Sequence, residues 1–597
     1  MFRLFRFLKG QALKLFFLSL FLMILTSLFN VVQPLFLTYE ISIVKVLTHE
    51  TTGDINILWF VINSDNAWIY FWAFCAIMFI FSFFGIISGL FSFWFSAKVS
   101  LLIAQNIRNA AYDHILKYSF SQIDKISSGS IVVRITNDVQ RIQFAFLMLI
   151  AVFIQSVFVV IGGSIVAFTT VWQIGMVILG TIAFATLIVG SIGRRLMPLF
   201  GAFQSSLDEV ATVMQENILG ARVIKSFNLQ QNQTEEFDFL NKRLRNYSFR
   251  SWAWLMPIMQ MIPWALNFGI NLIMMIGGIL LKSGADKDPL LADQIYGTVQ
   301  IMVMVLASAV SIIMSVSNVL RIRPSVRRIN EIFDIKPEIT DNRKSVNFPK
   351  RYDIEFKNVS FSYLKNNNNI LSNLSFKVKQ GSSLGIIGSS GCGKTTLVTL
   401  IPRLYDVTGG SIKIGGVDVS RIKKNSLRDN IRIALQEQIL FAGNIEYNLR
   451  YAKLNASREE MMEASKNACA WEFISKLTKT WQSPVEQRGS NFSGGQKQRL
   501  CLTRALLGNP KILILDDSTS ALDLLTEKTV KQQINATLKN TTKIIVSQRV
   551  ASIKDCDQIL VLDDGKISGI GKHDKLVKTN ELYRNIVESQ LKVMNYE

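Results

Sequence analysis

One glycine-rich stretch of the sequence carries a lysine and a hydroxyl residue at a fixed spacing from its glycines. Residues 388–395 read Gly-Ser-Ser-Gly-Cys-Gly-Lys-Thr and match the pattern G-x-x-x-x-G-K-[ST] at every fixed position. The apolar run Leu384 to Ile387 precedes them, and a helix-forming run follows from Thr396. A loop between a strand and a helix presents backbone N–H groups and a helix N-terminus to an anion. A chance glycine-rich turn is the alternative, but the flanking elements favour a polyphosphate-binding loop.

The loop predicts a set of nucleoside triphosphate and magnesium contacts. Lys394 is expected to reach the β- and γ-phosphates, and the Thr395 hydroxyl is expected to ligate Mg²⁺. Tyr363 lies 25 residues before the loop, where an aromatic ring could stack on a purine; alone it would be only a surface tyrosine. The predicted nucleotide-binding residues here are Tyr363, Gly388, Ser389, Ser390, Gly391, Cys392, Gly393, Lys394, Thr395 and Thr396.

Two further motifs complete this chemistry. The apolar run 512–515 is followed by Asp516 and Asp517, and such a strand end suits a carboxylate in the Mg²⁺ shell followed by one near the attacking water. The other motif, Ser493, Gly494, Gly495 and Gln496, stands before a predicted helix and makes a second anion-accepting N-terminus. Paired acids at a strand end are usually only solvated, so the functional interpretation depends on the phosphate loop.

Composition places these motifs in a membrane protein. The chain has 597 residues, of which 49% are hydrophobic, and a formal net charge of +21. Such a charge can indicate a nucleic-acid partner, but basic cytoplasmic loops of a membrane protein produce the same excess. We prefer the second interpretation and expect no nucleic-acid partner. The five cysteines have no paired spacing and the chain has only three histidines, so neither disulfides nor a zinc site is expected.

Charge-free runs predict six membrane spans. Basic residues from Arg3 to Lys14 precede the first run, Leu15 to Tyr39, which is longer than the apolar core of a secretory signal. Four more runs follow, bounded by Asp65 and Lys98, Arg141 and Arg194, Arg250 and Lys282, and Asp293 and Arg321. The run of about 50 residues after Arg141 would span roughly 75 Å as a helix and must therefore cross twice. We expect it to turn near residues 169–173.

The connections Lys98 to Arg141 and Arg194 to Arg250 are longer than turns require. The second carries an apolar stripe at helical spacing, formed by Leu207, Val210, Met214, Ile218 and Ala221. Both are predicted to be helices that extend the spans into the cytoplasm. The alternative is an amphipathic helix lying on the membrane, whose polar face should then be mostly basic. Asp208, Glu209 and Glu216 argue against that alternative.

Together these motifs resemble the ATP-binding cassette (ABC) family. Its landmarks stand in order as an aromatic loop at Tyr363, a Walker A loop at 388–395, a Q-loop at Gln436, a signature at 493–496, a Walker B strand at 512–516, a D-loop at 520–523 and a switch loop at 547–549. The resemblance covers essentially the whole chain and is closest to exporter half-transporters. It implies ATP and Mg²⁺ as ligands, with Gln436 also near the metal and Asp517, Gln548 and Gln436 at the catalytic centre.

The resemblance also implies an architecture and a dimer. We expect a six-helix α transmembrane domain of ABC-exporter type in residues 1–325, a linker in 326–351, and an α/β P-loop NTPase (ABC ATPase) domain in 352–597. In this family two cassettes meet head to tail, and each ATP lies between one Walker A loop and the other chain's signature. The ends of the intracellular extensions dock on the cassettes.

Two positions depart from the family pattern. The usual glutamate after Walker B is Asp517, and the usual switch-loop histidine is Gln548. The shorter Asp517 falls short by more than about 1 Å, and a misplacement of that size can cost about 10²-fold in rate. Gln548 can donate a hydrogen bond but cannot exchange a proton near neutral pH. These changes predict a slow or degenerate site.

The sequence therefore predicts one half of a heterodimeric exporter for a drug, lipid or peptide. The second half-transporter and membrane lipid are the expected partners, and the plasma membrane is the expected location, with the N-terminus and the nucleotide-binding domain cytoplasmic. A homodimer with slow ATPase activity remains an alternative. A soluble cassette ATPase acting on nucleic acid and a secondary transporter with a regulatory domain are rivals from other classes. The charge-free runs argue against both.

Overall fold

The computed structural model describes residues 2–48, 55–57, 60–62, 66–282, 290–363 and 369–594. It divides into two compact units, one formed by Met1–Leu116 with Gly129–Ile335 and the other by Lys117–Ser128 with Lys336–Glu597. This division differs from the predicted one, whose boundaries remain a prediction. The helix Arg323–Asp334 covers the first residues of the predicted linker and belongs to the first unit.

Among its described residues, the first unit contains six helices that are long and apolar enough to cross a membrane, in agreement with the span count from sequence. They are Gln11–Leu47, Ala67–Ile115, Ser128–Thr170, Trp172–Leu219, Gln230–Lys282 and Leu291–Arg321. We call them the first to sixth long helices. The third and fourth are separated only by Val171, so the long charge-free run turns where expected.

Four of the long helices far exceed what a bilayer needs. The second has 49 residues and the fifth has 53, which corresponds to roughly 75–80 Å against a hydrocarbon core of ~30 Å. The apolar stripe from Leu207 to Ile218 lies in the same continuous helix as the fourth span. This geometry favours the predicted extensions over a separate helix on the membrane surface. Two short helices connect successive long helices along the chain, Phe120–Ile126 in the second unit and Ala221–Ser226 in the first, and we call them the extension tips.

Buried charges tie distant parts of the first unit together. Asp138 is almost fully buried and accepts hydrogen bonds from Arg328 at 2.7 and 2.6 Å and from Ser325 at 2.7 Å. Charge-assisted bidentate pairs of this kind fix orientation, and this pair joins the helix after the sixth long helix to the third. Asp293 is likewise buried and accepts from Lys45 and from Ser42.

The second unit contains two main sheets. The first has six strands, Ser383–Gly388, Ile431–Ala434, Ile512–Asp516, Thr542–Val546, Gln558–Asp563 and Lys566–Gly571. All pair in parallel except the last, which is antiparallel at one edge. The second sheet is antiparallel, with Ile354–Phe361, Leu371–Val378, Gly409–Ile414 and Val417–Asp418. Two short antiparallel pairs join Ile55–Ile57 to Phe60–Ile62, in the first unit, and Gly443–Asn444 to Pro484–Val485.

The strand types follow from sequence periodicity. Every residue of Ile512–Asp516 is buried, as expected for a central parallel strand covered on both faces. Leu371–Val378 instead alternates between buried and more exposed positions, as expected in an antiparallel sheet. The α-helices of the unit are Phe120–Ile126, Lys394–Leu400, Lys424–Asn430, Ile445–Arg450, Arg458–Asn467, Trp471–Ile474, Gly494–Leu506, Leu524–Thr537, Val550–Ile553, His573–Thr579 and Glu581–Met594.

Candidate functional site

The parallel sheet brings most of the predicted site to one edge. In the register of the sheet, Leu562 pairs with Gly388, and Val546 pairs with Asp516. The carboxyl ends of parallel strands meet at the same edge, where ligands bind in α/β folds. The phosphate loop, the two acids and the switch loop therefore follow neighbouring strands. Gln436 comes two residues after Ala434, which pairs with Leu515, and its side chain is exposed at the same edge.

The phosphate loop requires glycine at specific positions. Gly391 and Gly393 have φ of 80° and 99°, a region that residues with a Cβ rarely adopt. Gly388 has a packing reason instead, since a Cβ there would lie 2.1 Å from the carbonyl oxygen of Leu562. The Lys394 ammonium donates to the carbonyl oxygens of Gly388 at 2.9 Å and Ser389 at 2.6 Å. The lysine is thus curled over its own loop, where a polyphosphate would lie.

The Thr395 hydroxyl and the Asp516 carboxylate, two predicted metal ligands, lie together. The Thr395 hydroxyl donates to the Asp516 carboxylate at 3.2 Å, joining the end of the phosphate loop to the end of the Walker B strand. Asp516 is 1% exposed, and its second carboxylate oxygen is buried without a hydrogen-bond partner. Burial raises the pKa of Asp516, and the hydrogen bond from Thr395 only partly opposes this. A buried, unsatisfied carboxylate oxygen beside a hydroxyl fits Mg²⁺, which prefers oxygen ligands.

Asp517 leaves the strand in a strained conformation. Its φ is +46°, in the left-handed region that residues other than glycine seldom occupy. Burial raises the pKa of this carboxyl, although Lys394 and Arg549 act in the opposite direction. The Gln498 amide donates to the Asp517 carbonyl oxygen at 3.3 Å and accepts from the Ala521 N–H at 3.0 Å. Gln498 therefore connects the signature helix, the turn at Asp517 and the D-loop.

The switch loop is held by its neighbours while its key side chain is left exposed. Gln590 donates to the Gln548 carbonyl oxygen at 2.7 Å and accepts from the Val550 N–H at 2.8 Å, so one amide brackets the loop. Arg549 pairs with the largely buried Glu527 at 3.5 Å. The Gln548 side chain is exposed, which leaves its amide available for a ligand at this edge.

The signature residues form a helix start that faces outward. Ser493 caps the helix Gly494–Leu506 in a reciprocal capping box with Gln496, at 3.0 and 3.4 Å. A Cβ at Gly494 would meet nothing within 4 Å, whereas one at Gly495 would approach the Ala521 carbonyl oxygen at 3.3 Å. No hydrogen bond among the described residues joins 493–496 to 388–396. The structure thus brings together the phosphate loop, both acids and the switch loop, and leaves the signature apart.

Tyr363 lies beside the phosphate loop, in a contact chain that the sequence did not reveal. Its hydroxyl is 2.9 Å from the Thr396 hydroxyl, and its ring packs edge-on against Tyr405 with centroids 5.3 Å apart. The Tyr405 hydroxyl in turn donates to the Asp124 carboxylate at 2.9 Å, and its ring contacts Phe120. Burial and the Asp124 carboxylate raise the pKa of Tyr405, so the hydroxyl remains a donor at neutral pH.

Sequence inspection missed Tyr405 and Gln498 as site residues. Tyr405 lies 281 residues from Asp124, so no local pattern marks the pair. Gln498 had a weak signal, because it is a polar residue two positions after Gln496 in a predicted helix, and it proves to be 2% exposed. A buried amide needs partners, which here are the turn at Asp517 and the D-loop.

Fold and site together define a multi-pass membrane protein with an attached P-loop ATPase unit. Residues 16–320 match the family described as the ABC transporter transmembrane region, and residues 371–520 match the family described as ABC transporter. The chain therefore belongs to the ABC transporter family, with the transmembrane and ATPase parts fused in one polypeptide.

Individual relatives agree with this assignment. The chain is 36% identical to an ABC transporter ATP-binding protein of Mycoplasma genitalium, over 85% of this chain and 83% of that protein. It is 30% identical to an ATP-dependent lipid A-core flippase of Syntrophus aciditrophicus, over 82% and 81% of the two chains. Its fold matches the structure of a bacterial Atm1-family ABC exporter with ATP bound, with a TM-score of 0.82, 22% identity and coverage of 98% and 99%.

We expect the change Asp516→Asn to stabilise the nucleotide-free protein while removing its response to Mg²⁺. The raised pKa means that folding favours the protonated carboxyl, so the wild-type protein loses stability as the pH rises through that pKa. The neutral amide should raise the melting temperature near pH 7 by roughly 2–4 °C, and the gain should shrink as the pH falls. Stabilisation by Mg²⁺ with ATP should disappear.

Asp563 provides the matched control for that measurement. It also ends a strand of the same sheet, Gln558–Asp563, but is exposed. Asp563→Asn should leave both the melting temperature and the response to Mg²⁺ with ATP unchanged. A lower melting temperature for Asp516→Asn at pH 7 would contradict the account of the buried carboxyl.

We expect Tyr405→Phe to loosen the tip Phe120–Ile126 without weakening nucleotide binding. The change keeps the ring contacts with Tyr363 and Phe120 but removes the hydrogen bond to Asp124. Hydrogen exchange of residues 117–128 in the full-length protein with ATP and Mg²⁺ should become several-fold faster. Loss of the hydrogen bond should lower the free energy of local opening by roughly 1 kcal/mol. Tyr352→Phe removes a different hydroxyl bond, to the Asn540 carbonyl oxygen, and should leave this segment unaffected. Unchanged exchange in both variants would contradict a role of the Tyr405–Asp124 hydrogen bond in holding this segment.

Proposed function

We propose that this chain is one half of a heterodimeric ABC exporter that moves a hydrophobic or amphipathic substrate across the plasma membrane at the expense of ATP. The six long apolar helices fused to the ATPase unit support the transport part of this proposal. Relatives named as ATP-dependent lipid A-core flippases, at 30% and 31% identity, support an amphipathic substrate of drug, lipid or peptide type. The asymmetry rests on one observation, the pair Asp517 and Gln548 at the catalytic edge.

The residues at the sheet edge fit ATP and Mg²⁺ in defined roles. Lys394 and the N–H groups of residues 388–396 would hold the phosphates, and Tyr363 is placed to stack on the base. Thr395 and Asp516 would hold Mg²⁺, with Gln436 at the same edge. The bound metal would neutralise the charge that develops on the transferred phosphoryl group. The residues at all of these positions match the family pattern, so we expect this chain to bind ATP normally.

The hydrolytic step is where this chain is expected to be weak. A base must lie within hydrogen-bond reach of the proton it accepts, and Asp517 is one methylene shorter than the glutamate usual at this position. The Asp517 backbone cannot easily move to compensate, because its carbonyl oxygen is held by Gln498 and its N–H by the Val546 carbonyl oxygen. The exposed Gln548 can donate to a γ-phosphate but cannot take up a proton. Both deficits fall on the same site.

The signature of this chain is intact and available to another subunit. Gly494 has open space around it, and Ser493 and Gly494 are exposed. The tip after the fourth long helix also presents exposed apolar side chains, with Leu219 78% and Phe227 71% exposed. Such residues indicate a surface that another chain covers. The natural arrangement is a partner whose Walker A loop faces this signature and whose catalytic residues are the usual glutamate and histidine.

The proposed orientation places the N-terminus, both extension tips and the nucleotide-binding unit in the cytoplasm. The basic residues Arg3 to Lys14 and the even number of long helices support it. Single cysteines placed near Asp54 and Asp286, two positions that lie outside the described residues, should react with an impermeant thiol reagent in intact cells. A cysteine at Lys125 should react only after the membrane is opened. Labelling at Lys125 from outside would overturn this orientation.

For the asymmetry, we expect the purified chain alone to show little ATPase activity and its complex with the second half-transporter to be active. Asp517→Asn should change turnover of the complex less than about twofold, whereas replacing the partner's catalytic glutamate should reduce it by about 10² or more. Gly494→Asp should be as damaging as that partner change. A Cβ at Gly494 meets no atom of this chain within 4 Å, so the loss would come from the facing site.

The homodimer alternative makes the opposite prediction. If the chain alone hydrolyses ATP at the full rate of the transporter and Asp517→Asn abolishes that activity, this chain works as a homodimer. The double change Asp517→Glu with Gln548→His gives a further test, because it restores the usual catalytic pair. It should raise the activity of the chain alone if these two residues limit the rate, and it should do nothing if another feature does.

A further inference from the structure

The first unit contains a cavity of about 660 Å³ between the first, second, third and sixth long helices. This volume lies within the range of sites that hold drug-sized ligands. Its polar lining consists of uncharged side chains, chiefly Asn30, Gln33, Gln155, Gln300 and Ser308. Its apolar lining includes Met78, Phe93 and Met304. The two kinds of surface therefore meet in one cavity inside the membrane-spanning part.

Three of the amides are not used to join helices. Gln33 donates to the Ser82 hydroxyl at 2.8 Å, which is an ordinary bond between two spanning helices. The side-chain amides of Asn30, Gln155 and Gln300, by contrast, make no hydrogen bond to any other described residue. Polar groups in a membrane domain are costly unless they find a partner. These three amides line a cavity, so a ligand or water that enters it supplies the partner.

The cavity is also free of formal charge. Among the described residues that line it there is no Asp, Glu, Lys or Arg. A charged ligand would lose its hydration on entry and find no counter-charge, which is a large penalty in a medium of low dielectric constant. Each amide, however, offers both a donor and an acceptor. The lining therefore discriminates in favour of neutral groups that donate and accept hydrogen bonds.

We propose that this cavity binds an uncharged amphiphile whose polar part carries amide-like donors and acceptors and whose apolar part packs against Met78, Phe93 and Met304. Asn30, Gln155 and Gln300 are its specificity-determining residues. Methionine suits such a site because its flexible side chain fits apolar groups of varied shape. This inference rests on the proposed transport function, since it names the class of substrate that the exporter would take.

The test is equilibrium binding to the full-length protein in lipid nanodiscs without ATP. The probes are N-decanoyl-glycylglycinamide and its free acid, which share one acyl chain and differ by a single charge. The neutral amide should bind saturably, and the acid should bind at least about tenfold more weakly. The triple variant Asn30→Leu, Gln155→Leu, Gln300→Leu should bind the neutral probe roughly tenfold or more weakly, because it loses three polar partners.

A matched control exists on the fifth long helix. Gln260, Asn267 and Asn271 are also uncharged amides, spaced to share one helical face; they are exposed on this chain and do not line the cavity. Changing all three to Leu should leave binding of the neutral probe unchanged. If these changes abolish binding while the cavity variant binds normally, the ligand surface is the fifth helix and the proposal is wrong. Equal binding of acid and amide, or binding insensitive to both sets of changes, would also overturn it.

A second variant guards against loss of folding in the triple variant. Gln155→Glu preserves the side-chain shape and adds one negative charge. It should therefore weaken binding of the free-acid probe further and strengthen binding of the homologous amine, N-decanoyl-glycylglycine aminoethylamide. No change in this charge preference would contradict the site. Because binding is measured without ATP, its failure is distinguishable from failure of the transport proposal. Failure of the transport proposal would instead appear as the absence of ATP-driven movement of any probe in vesicles that contain the complete complex.

Discussion

The hydrogen bond between Thr395 and Asp516 is the contact on which the site depends. It joins the helix after the phosphate loop to the end of the most buried strand, and it leaves one carboxylate oxygen of Asp516 without a partner. Burying such a group costs free energy unless a ligand completes it. The proposed binding of Mg²⁺ with a nucleotide at this sheet edge would recover that cost. The proposed affinity for the metal would then draw on this penalty as well as on the oxygen ligands.

The two segments that this contact joins were both predictable from the sequence. The Walker A loop and the acids after Ile512–Asp516 are local patterns, because backbone conformation and burial along a short segment determine them. Their meeting follows from a general rule, since parallel strands place their carboxyl ends at one edge. Six spans were equally predictable, because a bilayer imposes length and apolarity on each helix separately. What is set within one element is visible in the sequence.

Features that depend on several elements were not predictable in this way. Tyr405 acquires its position through Tyr363 on one side and Asp124 on the other, and these residues are far apart in sequence. The helix Arg323–Asp334 looked like a charged linker because its buried partner, Asp138, lies in the third long helix. The amides Asn30, Gln155 and Gln300 come from three different helices, so no single helical pattern shows that they line one cavity. Tertiary packing, rather than local propensity, decides each of these.

The slow hydrolysis that we propose for this site would follow from rigidity as well as from the missing methylene. An aspartate in a mobile turn could move by about 1 Å and restore contact with a water molecule. Here the Asp517 backbone is held at both its N–H and its carbonyl oxygen, and its left-handed φ is compatible with only a narrow range of movement. Gln498, which imposes part of this restraint, also holds the D-loop through Ala521. Releasing Asp517 would therefore disturb the surface that the D-loop and the signature helix offer to a partner. If this chain contributes its signature to another site, as we propose, it has a physical reason to keep the turn at Asp517 fixed.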